Sequence, residues 1–318
     1  MVNFTGYKKG VNLGGWLSQC DHTKERYDTF ICEKDIEKIA SWGADHVRLP
    51  IDYNLVENED GSYIESGFEY INNAVKWCGK CGLNLVLDLH KTAGYSFDKG
   101  ENEYGFFESP ALQERFYKLW ETLARRYAVS DGTIAFELLN EVIDQKYSPI
   151  WNGIIRNCIE RIRKIAPDTV ILVGGYWQNS PDAVPDLDAP YDDKVVYNFH
   201  CYDPMNFTHQ GAYWYEGMDT EFRMSFEECD PKVTAQFFID RFAAACEAAK
   251  KNGTVLYCGE YGVIDNASPE DTVKWFKAIN SAFEQLGICR SAWSYKQMDF
   301  GIADERMSGV IDELVKYL

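Results

Sequence analysis

Two short segments of the sequence each read as a β-strand that carries a glutamate at its C-terminal end. Residues 136–141 end in Glu141, and residues 256–260 end in Glu260. A retaining glycosidase needs two carboxyl groups, because one protonates the departing oxygen while the other attacks the anomeric carbon. A single glutamate at a strand end is more often a surface charge or part of a core ion pair. Two in matching positions indicate hydrolysis of a glycosidic bond.

Strand alternation predicts which polar side chains face the same way as these glutamates. Side chains two positions apart share a face of a strand, so Asp88 and His90 lie together in segment 84–90, with three leucines opposite. Asn198, His200 and Tyr202 form a second group by the same logic, with Phe199 opposite. The side chains expected at strand ends are Arg48, His90, Asn140, Glu141, His200, Tyr202, Glu260 and Trp293.

The elements that must position these residues alternate along the whole chain. Short β-rich runs are separated by longer amphipathic stretches, which is the pattern of parallel strands joined by crossover helices. Eight strands close such a barrel, and 318 residues suit one, since the fold takes about 250 residues before insertions. We therefore predict an α/β fold, a single (β/α)8 TIM barrel forming one catalytic domain over residues 1–318. The strand candidates are 11–16, 46–51, 84–90, 134–140, 170–175, 195–200, 255–260 and 291–296.

Glycines and one irregular segment complete the expected layout. Gly43, Gly82, Gly253 and Gly287 each follow a helical pattern and precede a strand, as left-handed C-terminal caps do. Residues 201–231, after the sixth strand, form a long irregular insertion that is rich in aromatic residues. Loops after strands form the active-site face of a barrel, so this insertion is a candidate wall or lid.

The ordered set of strand-end residues resembles glycoside hydrolase family 5. The resemblance spans all eight predicted strands, and its motifs are similar to the clostridial endoglucanase C type β-glucanases in particular. Those motifs are Gly10–Trp16, His46–Pro50, Phe136–Glu141, Val196–His200, Tyr257–Glu260 and Trp293–Lys296. One departure from the wider family is Val142, where proline usually follows the acid, although the clostridial branch also has valine there.

The resemblance implies a role for each catalytic group. Glu141 corresponds to the general acid/base and Glu260 to the nucleophile of a retaining double displacement. Arg48 and Tyr202 correspond to residues that hydrogen-bond the nucleophile, and Asn140 to the residue that binds the sugar 2-hydroxyl. At the carboxyl separation of about 5 to 5.5 Å that retention requires, both groups cannot ionise freely. We therefore expect Glu141 to hold its proton while Glu260 is charged.

The remaining strand-end residues have structural alternatives. The resemblance implies that His90 and His200 bind hydroxyls and position the catalytic groups, and that Trp293 lies under the sugar in subsite −1. The two histidines could instead be hydrogen-bonded core residues or metal ligands, and Trp293 could be core. Arg48 could pair with Glu137 inside the barrel. The family needs no metal and no organic cofactor, so we predict neither.

Further aromatic and charged residues are candidates for the cleft. Trp16, Trp177 and Trp214 could stack on sugar faces, because pyranose rings present apolar C–H surfaces, but packing is the alternative for each. Lys296 and Asp299, beyond the last strand, could line the glycone or aglycone side.

Composition limits the class of partner. The net charge of −18 and the pI near 4.7 argue against a nucleic-acid partner, because binding phosphates draws on lysine and arginine. No apolar run reaches about 18 residues, so no membrane partner is expected. A neutral β-linked glucan or gluco-oligosaccharide is compatible with an acidic surface, and we expect a monomer.

Cysteine usage and the N-terminus bear on the compartment. The ten cysteines are read as mostly buried free thiols, and Cys78–Cys81 has Cys-x-x-Cys spacing without a second pair for a zinc site. Residues 1–6 show no secretory signal, which predicts a cytoplasmic enzyme, or a secreted one whose leader has been removed.

These observations predict a retaining β-glucanase that acts internally on β-1,4 or mixed β-1,3/1,4 linkages. The alternatives within the family are an exo-acting β-1,3-glucanase and a β-mannanase. From a different class, the chain could be a glycan-binding protein without turnover.

Overall fold

Eight parallel strands close into a barrel in which each strand pairs with its neighbours in chain order, and β8 pairs back onto β1. The computed structural model describes residues 4–98, 100–128 and 132–318. Residues 1–3, on which the expectation about a secretory signal partly rests, lie outside the described residues. The strands β1 to β8 are Lys9–Asn12, His46–Asp52, Asn84–Lys91, Ile134–Glu137, Ile171–Gly174, Val195–Cys201, Leu256–Tyr261 and Cys289–Ala292. The predicted (β/α)8 barrel is confirmed.

Helices fill the crossovers between successive strands. The helices α1 to α10 are Lys24–Thr29, Glu33–Ser41, Glu65–Cys81, Pro110–Tyr127, Ser148–Arg163, Tyr176–Asn179, Met205–Thr208, Ala235–Lys251, Pro269–Leu286 and Ile311–Leu314. The crossover from β5 to β6 differs from the others, because it contains only the short turn α6 and the 3-10 helix Pro181–Asp186. Within the described residues, no helix is long and apolar enough to cross a membrane.

Local sequence explains where the longer helices begin and end. The hydroxyl groups of Ser109, Thr234 and Ser268 accept hydrogen bonds from backbone N–H groups at the starts of α4, α8 and α9. The four glycines predicted to end helices all adopt left-handed backbone conformations. Their φ values are 78° at Gly43, 70° at Gly82, 70° at Gly253 and 68° at Gly287.

Three strand boundaries were predicted wrongly. β1 covers Lys9–Asn12 and not 11–16, because the backbone turns at Gly15, where φ is 73°. β8 covers Cys289–Ala292 and not 291–296. β4 ends at Glu137, so Asn140 and Glu141 lie on the loop that follows it and not within the strand.

Side chains of the strands alternate between two packing environments. Val86, Val196 and Tyr257 point into the lower barrel, where they pack with Phe4 and Tyr7 from the N-terminal segment. The leucines of β3 belong to the larger core formed with the surrounding helices. The upper half of the barrel interior is polar and holds Arg48, Asp88, Glu137 and Asn198, all fully buried. The predicted alternation in segment 84–90 is confirmed.

The segment after β6 is irregular, as predicted. It contains only α7 and the 3-10 helix Phe226–Glu228 before α8 begins. Phe207 and Thr208 anchor it in the core, whereas Tyr213 is 79% exposed.

The cysteines carry no disulfide. All ten are free thiols, and Cys78 is buried in α3 while Cys81 is half-buried.

Candidate active site

Two carboxyl groups face each other above the C-terminal ends of β4 and β7. Glu260 lies on β7, and Glu141 follows β4 by four residues. His200, on β6, lies between them, with Nδ1 at 2.8 Å from Glu141 Oε1 and 3.6 Å from Glu260 Oε2. One oxygen of each carboxyl group and one ring nitrogen of His200 all lie within 4.8 Å of one another. All three side chains are buried, so solvent screens their interactions little.

Glu260 accepts a hydrogen bond on each of its oxygens. Arg48 Nη1 donates to Oε1 at 2.7 Å, and the hydroxyl of Tyr202 donates to Oε2 at 2.9 Å. Both bonds favour the ionised form and fix the plane of the carboxylate. The remaining lone pairs are therefore directed in a defined way, as attack on an electrophilic carbon requires.

Arg48 is the centre of a buried charge network. Its guanidinium bonds both oxygens of Glu137 at 2.7 and 2.8 Å and lies 3.0 Å from Asp88 Oδ2. It also donates to Asn140 Oδ1 at 2.9 Å. The pairing with Glu137, which the sequence left open, is thus present in addition to the bond with Glu260. One guanidinium orients three carboxylates and two amides, those of Asn140 and Asn12, which makes the floor of the site rigid.

The two facing carboxyl groups have different protonation tendencies. Burial, and next the charge of Glu260, raise the pKa of Glu141 well above its usual range. Burial also raises the pKa of Glu260, but Arg48, His90 and Tyr202 act against that rise. Glu141 is therefore the carboxyl group of the pair that retains a proton more readily, and the neighbours of Glu260 favour its ionised form.

Two further carboxyl groups beneath the site have raised pKa values. Burial raises the pKa of Asp88 to about 7 and that of Glu137 to about 7, although Arg48 opposes both shifts. Three carboxyl groups share one guanidinium, so the network favours a bound proton at neutral pH.

His90 and Trp293 form a stacked pair beside the carboxyl groups. Their rings are parallel, with an interplanar angle of 2° and centroids 5.7 Å apart. Asp88 Oδ2 lies 2.6 Å from His90 Nδ1 and orients the imidazole, while Asn140 Nδ2 lies 3.4 Å from His90 Nε2. Trp293 lies just beyond β8, and Gly14 makes room for it, because a Cβ there would lie 2.8 Å from the indole.

The backbone of Glu141 is strained. Its φ is 41°, a left-handed value that is uncommon for a residue with a side chain. Tyr95 holds this conformation, because its hydroxyl donates to Glu141 O at 2.7 Å and accepts from Ile143 N at 2.9 Å. Strain of this kind persists where the surroundings determine the geometry, which is frequent at functional sites.

The three tryptophans predicted to line the cleft differ in their exposure to solvent. The prediction for Trp16 is wrong, because its side chain is fully buried, stacks on Trp77 at 5.9 Å and donates to Tyr27 O. Trp177 is 49% exposed, and its backbone N–H binds Ile143 O, beside the loop of Glu141. Trp214 is 40% exposed on the segment after β6.

The two charged residues beyond β8 that were predicted to line the cleft have neighbours of their own. The ammonium group of Lys296 lies 3.2 Å from Asp35 Oδ1 and above the ring of Phe30. Burial, followed by the charge of Asp265, raises the pKa of Asp299. Their part in the cleft stays a prediction.

Several residues of the site were missed from the sequence. Asn12 supports Arg48 with its Oδ1 at 3.0 Å from Nη1, and Gln19 Oε1 lies 3.3 Å from His90 Nε2. Asn198 bonds both Glu137 and the backbone of Gly259. Asn198, by contrast, is grouped with His200 by alternation along β6, and the same signal applied to β1 marks Asn12. Gln19 and Tyr95 lie on loops, where no periodic signal exists.

One cluster could also hold a metal ion. Among the described residues, Glu141, His200 and Glu260 are the group whose possible ligand atoms converge. His90, which the sequence paired with His200 as a possible ligand, is instead bonded to Asp88 and stacked on Trp293.

Comparison with known proteins identifies relatives of the whole chain. Residues 6–299 match the family model described as cellulase, glycosyl hydrolase family 5. The chain is 56% identical to cellodextrinase A of Ruminococcus flavefaciens over 290 residues, which cover 91% of this chain and 86% of that protein. It is 40% identical to endoglucanase C of Acetivibrio thermocellus over 343 aligned positions, covering 100% of this chain and 98% of that protein.

A solved structure shares the fold. The cellulose synthase subunit Z of Clostridioides difficile superposes with a TM-score of 0.83 at 28% identity, covering 98% of this chain and 99% of that one.

Proposed function

Because the chain belongs to the cellulase family, glycosyl hydrolase family 5, we propose that Glu141 and Glu260 are its catalytic carboxyl groups and that β-1,4-linked glucan is its substrate. The chain is a retaining glycoside hydrolase of the endo-β-glucanase type. The single observation that carries the assignment of the two residues is the convergence of their oxygens within 4.8 Å. Inverting enzymes leave about 6.5 to 9.5 Å for a water molecule between the two groups, so the spacing favours direct attack by one carboxylate.

The first chemical step divides the work between these groups. Glu260 attacks the anomeric carbon while the bond from that carbon to the departing oxygen breaks, and the electrons of that bond stay on the oxygen. Glu141 gives its proton to the oxygen as it leaves. The products are a glycosyl ester of Glu260, a free sugar hydroxyl and an ionised Glu141.

The second step follows from the change in charge. Esterification removes the negative charge of Glu260, so the charge that raised the pKa of Glu141 is gone and this pKa falls. Glu141 then takes a proton from a water molecule that attacks the anomeric carbon. The ester bond breaks, Glu260 regains its charge, and a product with the original β configuration is released.

The surrounding residues have matching tasks. We assign Arg48 and Tyr202 to keeping Glu260 ionised and oriented, on the basis of their bonds to its two oxygens. Asn140 lies within reach of both Arg48 and His90 and suits the sugar 2-hydroxyl, a contact that strengthens in the transition state. The Trp293 ring, fixed against His90, offers an apolar face to the sugar in subsite −1.

We assign the two exposed tryptophans to sugar binding further along the cleft. Trp177 lies next to the loop of the acid, and on that basis we assign it to the side of the leaving group. Trp214 connects to the nucleophile's side through Phe300, which contacts Trp214 at 6.4 Å and Tyr202 at 5.6 Å between ring centroids. Indole rings at both positions would hold successive sugars by stacking.

The names of the relatives favour gluco-oligosaccharides and glucan polymers over mannan. The relative from R. flavefaciens is a cellodextrinase, and that from A. thermocellus is an endoglucanase. We propose that the chain cleaves cello-oligosaccharides and internal β-1,4 linkages of β-glucan, including mixed-linkage chains.

Product analysis tests this proposal. Mixed-linkage β-glucan, carboxymethylcellulose, β-1,3-glucan and mannan are each incubated with the protein, with Glu260→Gln as the blank. We expect rapid loss of viscosity and a spread of oligosaccharides from the first two. Release of a single short product would contradict internal cleavage, faster turnover of β-1,3-glucan or mannan would contradict the substrate class, and binding without new reducing ends would contradict hydrolysis.

A further inference from the structure

Asn179 is a buried residue that contacts the histidine between the two carboxyl groups. It ends the turn α6 after β5, and its side chain is 1% exposed. Asn179 Nδ2 lies 3.4 Å from His200 Nε2, and the other ring nitrogen, Nδ1, faces Glu141 Oε1 at 2.8 Å. Only the imidazole ring separates this amide from the acid, so the amide can influence which atom carries the acid's proton.

The contact selects one form of the imidazole. Burial, and next the charge of Arg48, lower the pKa of His200 well below its usual range, so the ring is neutral. A neutral imidazole has one N–H and one lone pair on its two nitrogens. An amide N–H donated to Nε2 requires the lone pair there. The ring proton is then on Nδ1 and is donated to Glu141 Oε1.

This form of the imidazole determines where the acid proton of Glu141 lies. Oε1 already accepts a hydrogen bond from His200, so the proton of Glu141 resides on Oε2 and is available to the departing oxygen. In the opposite tautomer, the lone pair of Nδ1 would accept the O–H of Glu141 and draw it away from the substrate. The same lone pair would face the negative charge of Glu260 at 3.6 Å.

The backbone that carries the Asn179 amide has an unfavourable conformation. Residues 177–179 are all left-handed, with φ values of 51°, 54° and 55°, a conformation that costs free energy for residues with a Cβ. Gly174 leaves the space for the amide, because a Cβ there would lie 2.3 Å from Asn179 Oδ1. Among the described residues this buried oxygen has no hydrogen-bond partner. These features are expected of a residue kept for function rather than for stability.

We propose that Asn179 is a positioning residue that fixes the ring proton of His200 on Nδ1 and thereby places the acid proton of Glu141 on Oε2. The proposal rests on the proposed function, since the position of this proton matters only if Glu141 is the acid.

Nitrogen NMR on protein labelled with ¹⁵N-histidine reads the tautomer directly. The chain has five histidines, and the signals of His200 are assigned by their loss in His200→Asn. We expect Nδ1–H in the unaltered protein. In Asn179→Asp, the carboxylate offers an acceptor of the same shape, so we expect Nε2–H or the doubly protonated ring. An Nε2–H tautomer in the unaltered protein, or no change in the variant, would overturn the proposal. This readout is independent of turnover and thus of the proposed function.

Leaving-group dependence supplies the kinetic test. We expect Asn179→Asp to lose about 10²-fold in kcat/KM on phenyl β-cellobioside, whose phenolate needs protonation, and only a few-fold on dinitrophenyl β-cellobioside, which leaves without it. The matched control is Asn157→Asp on the exposed face of α5, with the same change of charge and no expected effect. Equal losses on both glycosides would indicate general damage to the site, and an unchanged rate on the phenyl glycoside would refute a role in positioning the proton. If the unaltered protein hydrolyses neither glycoside, the proposed function fails while the NMR result still stands.

Discussion

At the residue scale, the central feature is that two chemically identical side chains have neighbours that favour different protonation states. Glu260 receives hydrogen bonds from Arg48 and Tyr202, whereas Glu141 faces the negative charge of Glu260 from a strained position on a loop. The difference comes from the neighbours of each carboxyl group and not from the groups themselves. Pairs of titratable residues driven apart in this way perform acid and base chemistry at one pH.

Replacement of the acid should separate the two steps of the reaction. In Glu141→Ala, we expect kcat on cello-oligosaccharides to fall by about 10²- to 10⁴-fold, because the departing oxygen is no longer protonated. Dinitrophenyl β-cellobioside should still form the glycosyl ester rapidly, and its slow breakdown should be accelerated by azide. The measurement is burst kinetics with and without azide. A β-configured glycosyl azide supports the assignment, whereas equal slowing on every substrate without rescue contradicts it.

Removal of one donor to the nucleophile should change the pH profile. Tyr202→Phe deletes the hydroxyl that stabilises ionised Glu260, so the pKa of Glu260 rises. Glu260 reacts in its ionised form, so the acidic limb of the pH profile of kcat/KM moves to higher pH. The alkaline limb, which reports loss of the acid proton of Glu141, should move less. A shift of the acidic limb to lower pH would contradict this role of Tyr202.

At the element scale, the barrel sets the site because successive strands end side by side. The register places His200 of β6 opposite Glu260 of β7, after an irregularity between Phe199 and His200. Glycines then allow the loops to close around the site. Gly14, after β1, lies against the ring of Trp293 beyond β8, so residues far apart in the chain meet at a van der Waals contact.

A methyl group at Gly14 tests this contact. In Gly14→Ala, the Cβ would lie 2.8 Å from the Trp293 ring, which is held against His90 and has little room to move. We expect kcat/KM to fall about 10-fold or more and the free energy of unfolding to fall by about 1–3 kcal/mol.

Gly79→Ala in α3 is the matched control for this substitution. An added Cβ meets nothing within 4 Å there, so stability should rise by about 0.5–1 kcal/mol and activity should not change. Denaturant unfolding and initial rates on both variants give the comparison. Unchanged activity in Gly14→Ala would show that the position of Trp293 is not critical.

The sequence predicts the strands and helices better than it predicts the loops. The alternation of Asp88 and His90 with leucines identified the inner face of β3, and the glycines after the helices were recognised from their positions alone. Trp16 was misplaced because β1 ends at Asn12, before the glycine turn, and the following chain carries the indole into the core. Gln19 and Asn179 lie on turns whose direction depends on tertiary contacts, so no local pattern could assign them to the site.

At the scale of the whole molecule, the net charge of the protein does not contribute to binding of its substrate. The protein carries a net charge of −18, but the buried charges of the site pair with one another. A glucan carries no charge. Electrostatic steering, which accelerates association of charged partners, has no partner to act on here.

The rate of glucan cleavage should therefore be insensitive to salt. Between 0.05 and 0.5 M NaCl, we expect kcat/KM on cellotetraose to change by less than about 2-fold, since screening acts mainly on exposed charges. Initial rates at constant pH measure this. A steep fall of kcat/KM with salt would show that exposed charges contribute to binding the substrate.

The identity of the nucleophile is the claim on which the account depends most directly. A 2-deoxy-2-fluoro cellobioside with a dinitrophenyl leaving group forms the glycosyl ester but hydrolyses it slowly, and peptide mass spectrometry locates the label. The account predicts one label per chain, on Glu260 in the β7 peptide, and none in Glu260→Gln. A label on any other residue, or complete hydrolysis through inversion without a covalent ester, would contradict it.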